Sequence, residues 1–137
     1  MALVARFEDL VAWQQARQLV KQIYTLTQKT PFERDFGLRD QMRRAAVSAM
    51  TNIAEGFDCE SPLEFARFLE IARRSAVEVQ SLLYTALDVQ YLSKTEFETY
   101  YRTAQNVKAV IGGLRAAQFK RTAPEKTKPS KKSTPNT

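Results

Sequence analysis

The chain has 137 residues, 44% of them hydrophobic, and a formal net charge of +6 from 21 Lys+Arg against 15 Asp+Glu, which suits one core and is too short for two. It contains no His and a single Cys, Cys59, so Ser/His/Asp triads, Cys/His dyads, His-ligated zinc or haem and internal disulfides are excluded. The first seven residues lack the apolar run of a signal peptide and no stretch approaches the ~18 apolar residues of a membrane span; the expectation is a cytoplasmic protein with no membrane attachment.

The first element predicted is a helix from Glu8 to Gln28. Ala12/Trp13, Ala16, Leu19/Val20, Ile23 and Leu26 recur with a period near 3.6, while Gln14, Gln18, Lys21 and Thr25 make the opposite face. Glu8 and Asp9 put negative charge at the positive end of its dipole. Thr30-Pro31-Phe32-Glu33 then breaks the pattern, with Gly37 close behind, so 30–37 reads as a connection holding at most one helical turn.

A second helix is predicted from Leu38 to Phe57, with a core stripe of Leu38, Met42, Ala45/Ala46, Ala49, Ile53 and Phe57. Val47, Met50 and Ala54 fall on a neighbouring face, which widens the apolar arc to roughly half the helix. A helix with so broad an arc is expected to be covered twice, by its own bundle and by a second subunit. Val47, Met50 and Ala54 are therefore the expected oligomer interface. Gly56 is expected to stop this helix.

Ser61-Pro62-Leu63-Glu64 is the clearest local signal, with Ser at the cap, Pro at N1 and Glu at N3. The helix it opens is predicted to continue to about Tyr91, burying Phe65, Phe68/Leu69, Ala72, Ala76, Val79, Leu83 and Ala86/Leu87. On its outer side Glu70, Arg74 and Glu78 stand four apart and can pair. Ser93-Lys94-Thr95-Glu96 is a second capping box. It opens a last helix with Phe97, Tyr100/Tyr101, Ala104, Val107, Ile111 and Leu114 on one side. Gly112-Gly113 weakens that helix by about 1 kcal/mol per Gly relative to Ala and reads as a frayed end or a close crossing.

Residues 1–119 are thus expected to form an all-α, antiparallel up-down four-helix bundle with no strand. Residues 120–137 read KRTAPEKTKPSKKSTPNT, with Lys120, Arg121, Lys126, Lys128, Lys131 and Lys132 against the lone acid Glu125. With three prolines and almost nothing to bury, this segment is expected to be a disordered tail. Residues 1–119 alone carry a net charge of only +1. The tail is read as a flexible arm for phosphates, the bland alternative being a solubilising end.

Within the body, Arg39, Arg43 and Arg44 cluster on the second helix and Arg73 and Arg74 on the third. Arg39 and Arg43 share a face, and Arg44 points elsewhere. A guanidinium fork pairs equally well with carboxylate or phosphate, so contact with nucleic acid and pairing with Asp40, Glu70 or Glu78 both stand open. Tyr24, Tyr84, Tyr91, Tyr100 and Tyr101, at helical spacing, are expected in the core or an interface rather than stacked on bases. A di-metal bundle site needs Glu-x-x-His from two helices. With no His, Glu55, Glu60, Glu64, Glu70 and Glu78 read as caps and solvent pairs, and no metal or cofactor is expected. Cys59, between Asp58 and Glu60, reads as a free surface thiol.

The strings RRAAVSAMTNIAEGF (43–57) and SPLEFARFLEIARRSAVEV (61–79) resemble the four-helix-bundle proteins encoded in intervening sequences of bacterial 23S rRNA genes. FEDLVAWQQARQLVKQIY (7–24) is similar to that family's first helix and ALDVQYLS (86–93) to the exit of its third, so the resemblance covers nearly all of 7–119. Ala49-Met50 stands where the family often has an aliphatic-Pro pair, and Arg74 where it often has Gly. The resemblance implies a ring-like homopentamer around a central channel. It also implies kinship with the accessory variability determinants of diversity-generating retroelements, which bind nucleic acid and associate with a reverse transcriptase. The family has no catalytic residue set to carry over. The expectation is a non-enzymatic, oligomeric RNA- or DNA-binding accessory factor. The alternative is an interaction scaffold for a reverse transcriptase.

Overall fold

The computed structural model describes residues 4–122, and among them there are four α-helices, two short 3-10 turns and no strand. The helices are α1 (Val11–Thr27), α2 (Phe36–Phe57), α3 (Pro62–Asp88) and α4 (Lys94–Thr122). Packing neighbours follow chain order from α1 to α4, and α4 closes back onto α1. None of these helices is long and apolar enough to cross a membrane.

Each helix buries the stripe its periodicity marks. Ala12, Ala16, Leu19, Ile23 and Leu26 of α1 meet Met42, Ala45, Ala46 and Ile53 of α2, Leu69, Ala72, Ala76, Val79 and Leu83 of α3, and Ala104, Val107 and Ile111 of α4 in one core. α3, with 27 residues, is about 40 Å long at ~1.5 Å per residue.

The boundaries differ from the expected ones in instructive ways. α1 begins at Val11 rather than Glu8, because Phe7–Asp9 forms a separate 3-10 turn and Leu10 is extended and buried. The single turn expected in 30–37 is Phe32–Arg34. The cap of α2 follows it, with Asp35 Oδ1 accepting from the Leu38 amide at 3.2 Å. α2 then runs unbroken through Ala49 and Met50. Ser61 Oγ accepts from the amides of Leu63 and Glu64 as the capping box predicts, but the Glu64 carboxylate turns to Arg67 instead of the cap amide. At α4 the box is complete, with Glu96 N–H donating to Ser93 Oγ and Ser93 N–H to Glu96 Oε1.

Gly56 does not stop α2 through a left-handed turn; it lies inside the last turn, buried against α3. A Cβ built there would sit 2.6 Å from Phe68 Cβ and 2.9 Å from Phe65 Cδ1. Gly112 and Gly113 are neither frayed nor crossed: α4 continues past them to Thr122, and a Cβ at either would meet nothing within 4 Å. Lys120, Arg121 and Thr122 therefore belong to α4, while the remainder of the expected tail lies outside the described residues.

Polar contacts pin the register between helices. Ser48 and Ser75 share a 2.8 Å hydrogen bond across α2 and α3, and Gln41 Nε2 donates to Glu78 Oε2 at 3.2 Å. Gln80 Nε2 donates to Gln105 Oε1 at 2.8 Å across α3 and α4. The α1–α2 and α3–α4 connections are fastened to each other. Tyr91 stacks on Phe32 at 4.7 Å and donates its hydroxyl to Asp35 Oδ2 at 2.9 Å, and Lys29 pairs with Glu96.

Candidate nucleic-acid interface

Five body arginines were candidates for phosphate, and their environments divide them. Arg39 is already occupied: Nε donates to Asp40 Oδ1 at 2.8 Å and Nη1 to the Glu33 carbonyl at 3.0 Å, with the guanidinium 4.8 Å from the Phe36 ring. The hydrogen bond from Arg39 holds the Asp40 carboxyl below the usual carboxylate range. Arg73 grips both oxygens of Glu70 at 2.9 Å, and Arg115 of α4 approaches the same carboxylate at 3.5 Å. Glu70 is accordingly held low, chiefly by the Arg73 hydrogen bonds. The expected pairs of Arg74 with Glu70 and Glu78 do not form, because Glu70 is taken by Arg73 and Arg115 and Glu78 accepts from Gln41.

Arg43 is held without a carboxylate. Its Nε donates to Thr27 Oγ1 at 2.8 Å and its guanidinium lies 4.4 Å from the centroid of the Tyr24 ring. Thr27 is fully buried and its hydroxyl donates a hydrogen bond to the Ile23 carbonyl at 2.7 Å, so its oxygen is fixed as an acceptor toward Arg43. This arrangement engages Nε and one face of the guanidinium and leaves its two terminal nitrogens without a hydrogen-bond partner among the described residues. A hydrogen bond and a ring face hold the group without neutralising it.

Arg43 and Arg44, expected on different faces, line the same concavity of about 630 Å³ on the outer side of α2, together with Tyr24, Asp40, Val47, Ser48 and Thr51. Arg39 is not part of it. Neither Arg43, Arg44 nor Arg74 makes an ion pair among the described residues. The concavity thus offers two guanidinium groups and three hydroxyl-bearing side chains against one carboxylate, already engaged by Arg39.

Of the residues expected at an oligomer interface, Val47 lines this concavity and Ala54 is half-buried, while Met50 packs against the core of its own bundle. Lys120 is exposed, and Arg121 donates to Gln118 Oε1 at 2.8 Å. Lys126, Lys128, Lys131 and Lys132 lie outside the described residues. Cys59 is free and half-buried, with Sγ 3.6 Å from the Glu55 carbonyl. No group of three or more Cys, Asp or Glu among the described residues is placed to hold a metal ion.

Thr27 and Tyr24, the two residues that set Arg43, were not singled out for this role from sequence. They lie 16 and 19 positions from Arg43, beyond any local pairing rule, and only the α1–α2 packing brings them together.

Known proteins share this architecture. The family described as 23S rRNA-intervening sequence protein matches residues 8–113. A crystal structure of a protein of unknown function from the S23 ribosomal protein family of Bacteroides thetaiotaomicron is similar in fold, with a TM-score of 0.72 at 18% identity over 77% of this chain and 96% of that one. No curated protein matches the chain.

Proposed function

The chain belongs to the 23S rRNA-intervening sequence protein family, and from that premise we propose that it is a non-enzymatic, oligomeric protein that holds RNA or DNA by its phosphates as an accessory factor in the cytoplasm. The observation that carries this reading is the Arg43–Arg44 concavity, where one guanidinium is preset on Tyr24 and Thr27 and neither cation has a carboxylate partner. A carboxylate would be the usual reason to fix an arginine so firmly; with none paired to Arg43, its terminal nitrogens are free to take a phosphate in this reading.

In this reading the bundle is antiparallel and up-down. Pairs such as 41 with 78, 48 with 75, 80 with 105 and 70 with 115 descend on one helix as they ascend on the next, in support of it. Copies assemble into a ring-like homopentamer through the end of α2 around Ala54, which is only half covered by its own chain and does not line the Arg43–Arg44 concavity. The Lys-rich tail adds sequence-blind affinity. Deleting 123–137 removes four lysines and is expected to lower the slope of log K against log salt by roughly 3 to 4. An Arg43→Gln/Arg44→Gln variant is expected to weaken RNA binding with the fold intact. Unchanged affinity in both variants would dismiss the reading.

A second reading rests on exposed apolar groups of α3. Val77 and Tyr84, one heptad apart on the same side of α3, are 39% and 50% exposed, a patch suited to a protein partner such as a reverse transcriptase. Recovery of a polymerase after nuclease treatment would favour this scaffold role.

A further inference from the structure

We propose that the side of the bundle made by α1 and the later part of α4 is a second, extended docking surface for a phosphodiester strand; this rests on the nucleic-acid reading above and assigns it a further face. The warrant is the distribution of charge over the four helices. α2 and α3 carry six arginines and six acids, so the half of the molecule with the visible arginine clusters is neutral. α1 carries Arg17 and Lys21 and no acid. α4 has no acid after Glu98, while Arg102, Lys108, Arg115, Lys120 and Arg121 follow. Because α4 packs against α1, these acid-free stretches lie side by side.

Most of these cations are available. Arg17, Lys21, Arg102, Lys120 and Arg121 are exposed, and none makes an ion pair among the described residues, although Arg17 lies over the Trp13 ring and Arg121 donates to Gln118; Arg115 is paired with Glu70. Between Arg102 and Lys120 the outward positions of α4 are Asn106, Ala109, Gly113 and Ala117, all exposed and uncharged. The two cations stand about 27 Å apart along the helix at ~1.5 Å per residue. Gly113 has nothing within 4 Å of a built Cβ, so the surface between the cations is low and unobstructed.

The shape decides the class of ligand. The cations do not converge on a cavity as a small anion would require; they are strung along an open face, which suits repeated charges on one backbone. That strip leads to Thr122, where the chain continues into Lys126, Lys128, Lys131 and Lys132.

The test uses the full chain and a fluorescein-labelled 30-nucleotide RNA of mixed sequence, with anisotropy followed over a salt series. For Lys21→Gln/Arg102→Gln/Lys120→Gln, with helicity unchanged by circular dichroism, the salt slope is expected to fall by about 2, equivalent to about a hundredfold in affinity at 0.1 M salt. Native-like affinity and slope in this variant, with the native chain binding RNA, would overturn the surface and leave the function standing. A native chain that binds neither this RNA nor a 30-base-pair DNA would overturn both. Loss of binding to a poly-glutamate probe with RNA binding unchanged would overturn the nucleic-acid assignment in favour of an acidic protein partner.

Discussion

Gly56 at the α2–α3 elbow and the Gly112–Gly113 pair in α4 put the same residue type under opposite constraints. At the elbow, hydrogen at Cα is the condition for contact: α2 comes so close to Phe65 and Phe68 that a methyl group has no place. In α4 the side-chain positions open onto nothing, and the glycines contribute only backbone freedom. Tight packing at one place and slack at the other shows that composition alone does not say what a glycine is for. Its neighbours across the bundle do.

Substitution by alanine is the direct way to break this contrast. Gly56→Ala is expected to destabilise the protein by about 1–3 kcal/mol, since the opposing atom is a Cβ fixed to the α3 backbone; urea unfolding measures it, and a neutral result would remove the close contact. Gly112→Ala and Gly113→Ala are expected to stabilise by roughly 0.5–1 kcal/mol each, read from the same unfolding curves. A loss of stability there would mean that the pair is covered in solution. Beside the elbow, Ser61→Ala frees the amides of Leu63 and Glu64 and should cost about 1 kcal/mol, separating the cap's contribution from that of the packing.

The smallest expected effect is that of acid. Glu70 is held below its ordinary value first by Arg73, and Glu96 first by Lys29 and then by the Ser93 amide. Depressed carboxyls contribute stability above the unfolded value near ~4.3, and that contribution is lost as pH falls through the lower native values. Melting temperature should therefore drop on acidification below that point, and less so in Glu70→Gln and Glu96→Gln variants. An equal drop in all three would assign the acid sensitivity elsewhere.

Much of the fold is local and was legible for that reason. Periodicity marks the buried stripe of every helix, and Ser61 and Ser93 announce the starts of α3 and α4 because a cap is satisfied within four residues. Gly56 misled because a helix stop and a close approach look identical along the chain. The arginines were legible as candidates but not as a site. Whether Arg74 pairs depends on Glu70 being taken by Arg73 and by Arg115, a residue of another helix. The acid-free side of α1 and α4 was hidden for a different reason: its cations are spaced singly, and they become one surface only when the first helix and the last are packed together.

Asp35 serves two masters with its two oxygens, one starting α2 through the Leu38 amide and the other holding the hydroxyl of Tyr91. The start of α2 is thereby tied to the α3–α4 connection through one carboxylate. Neither connection reaches its full definition alone, so this corner of the molecule acts as a logical conjunction: it registers the completed bundle and not its halves.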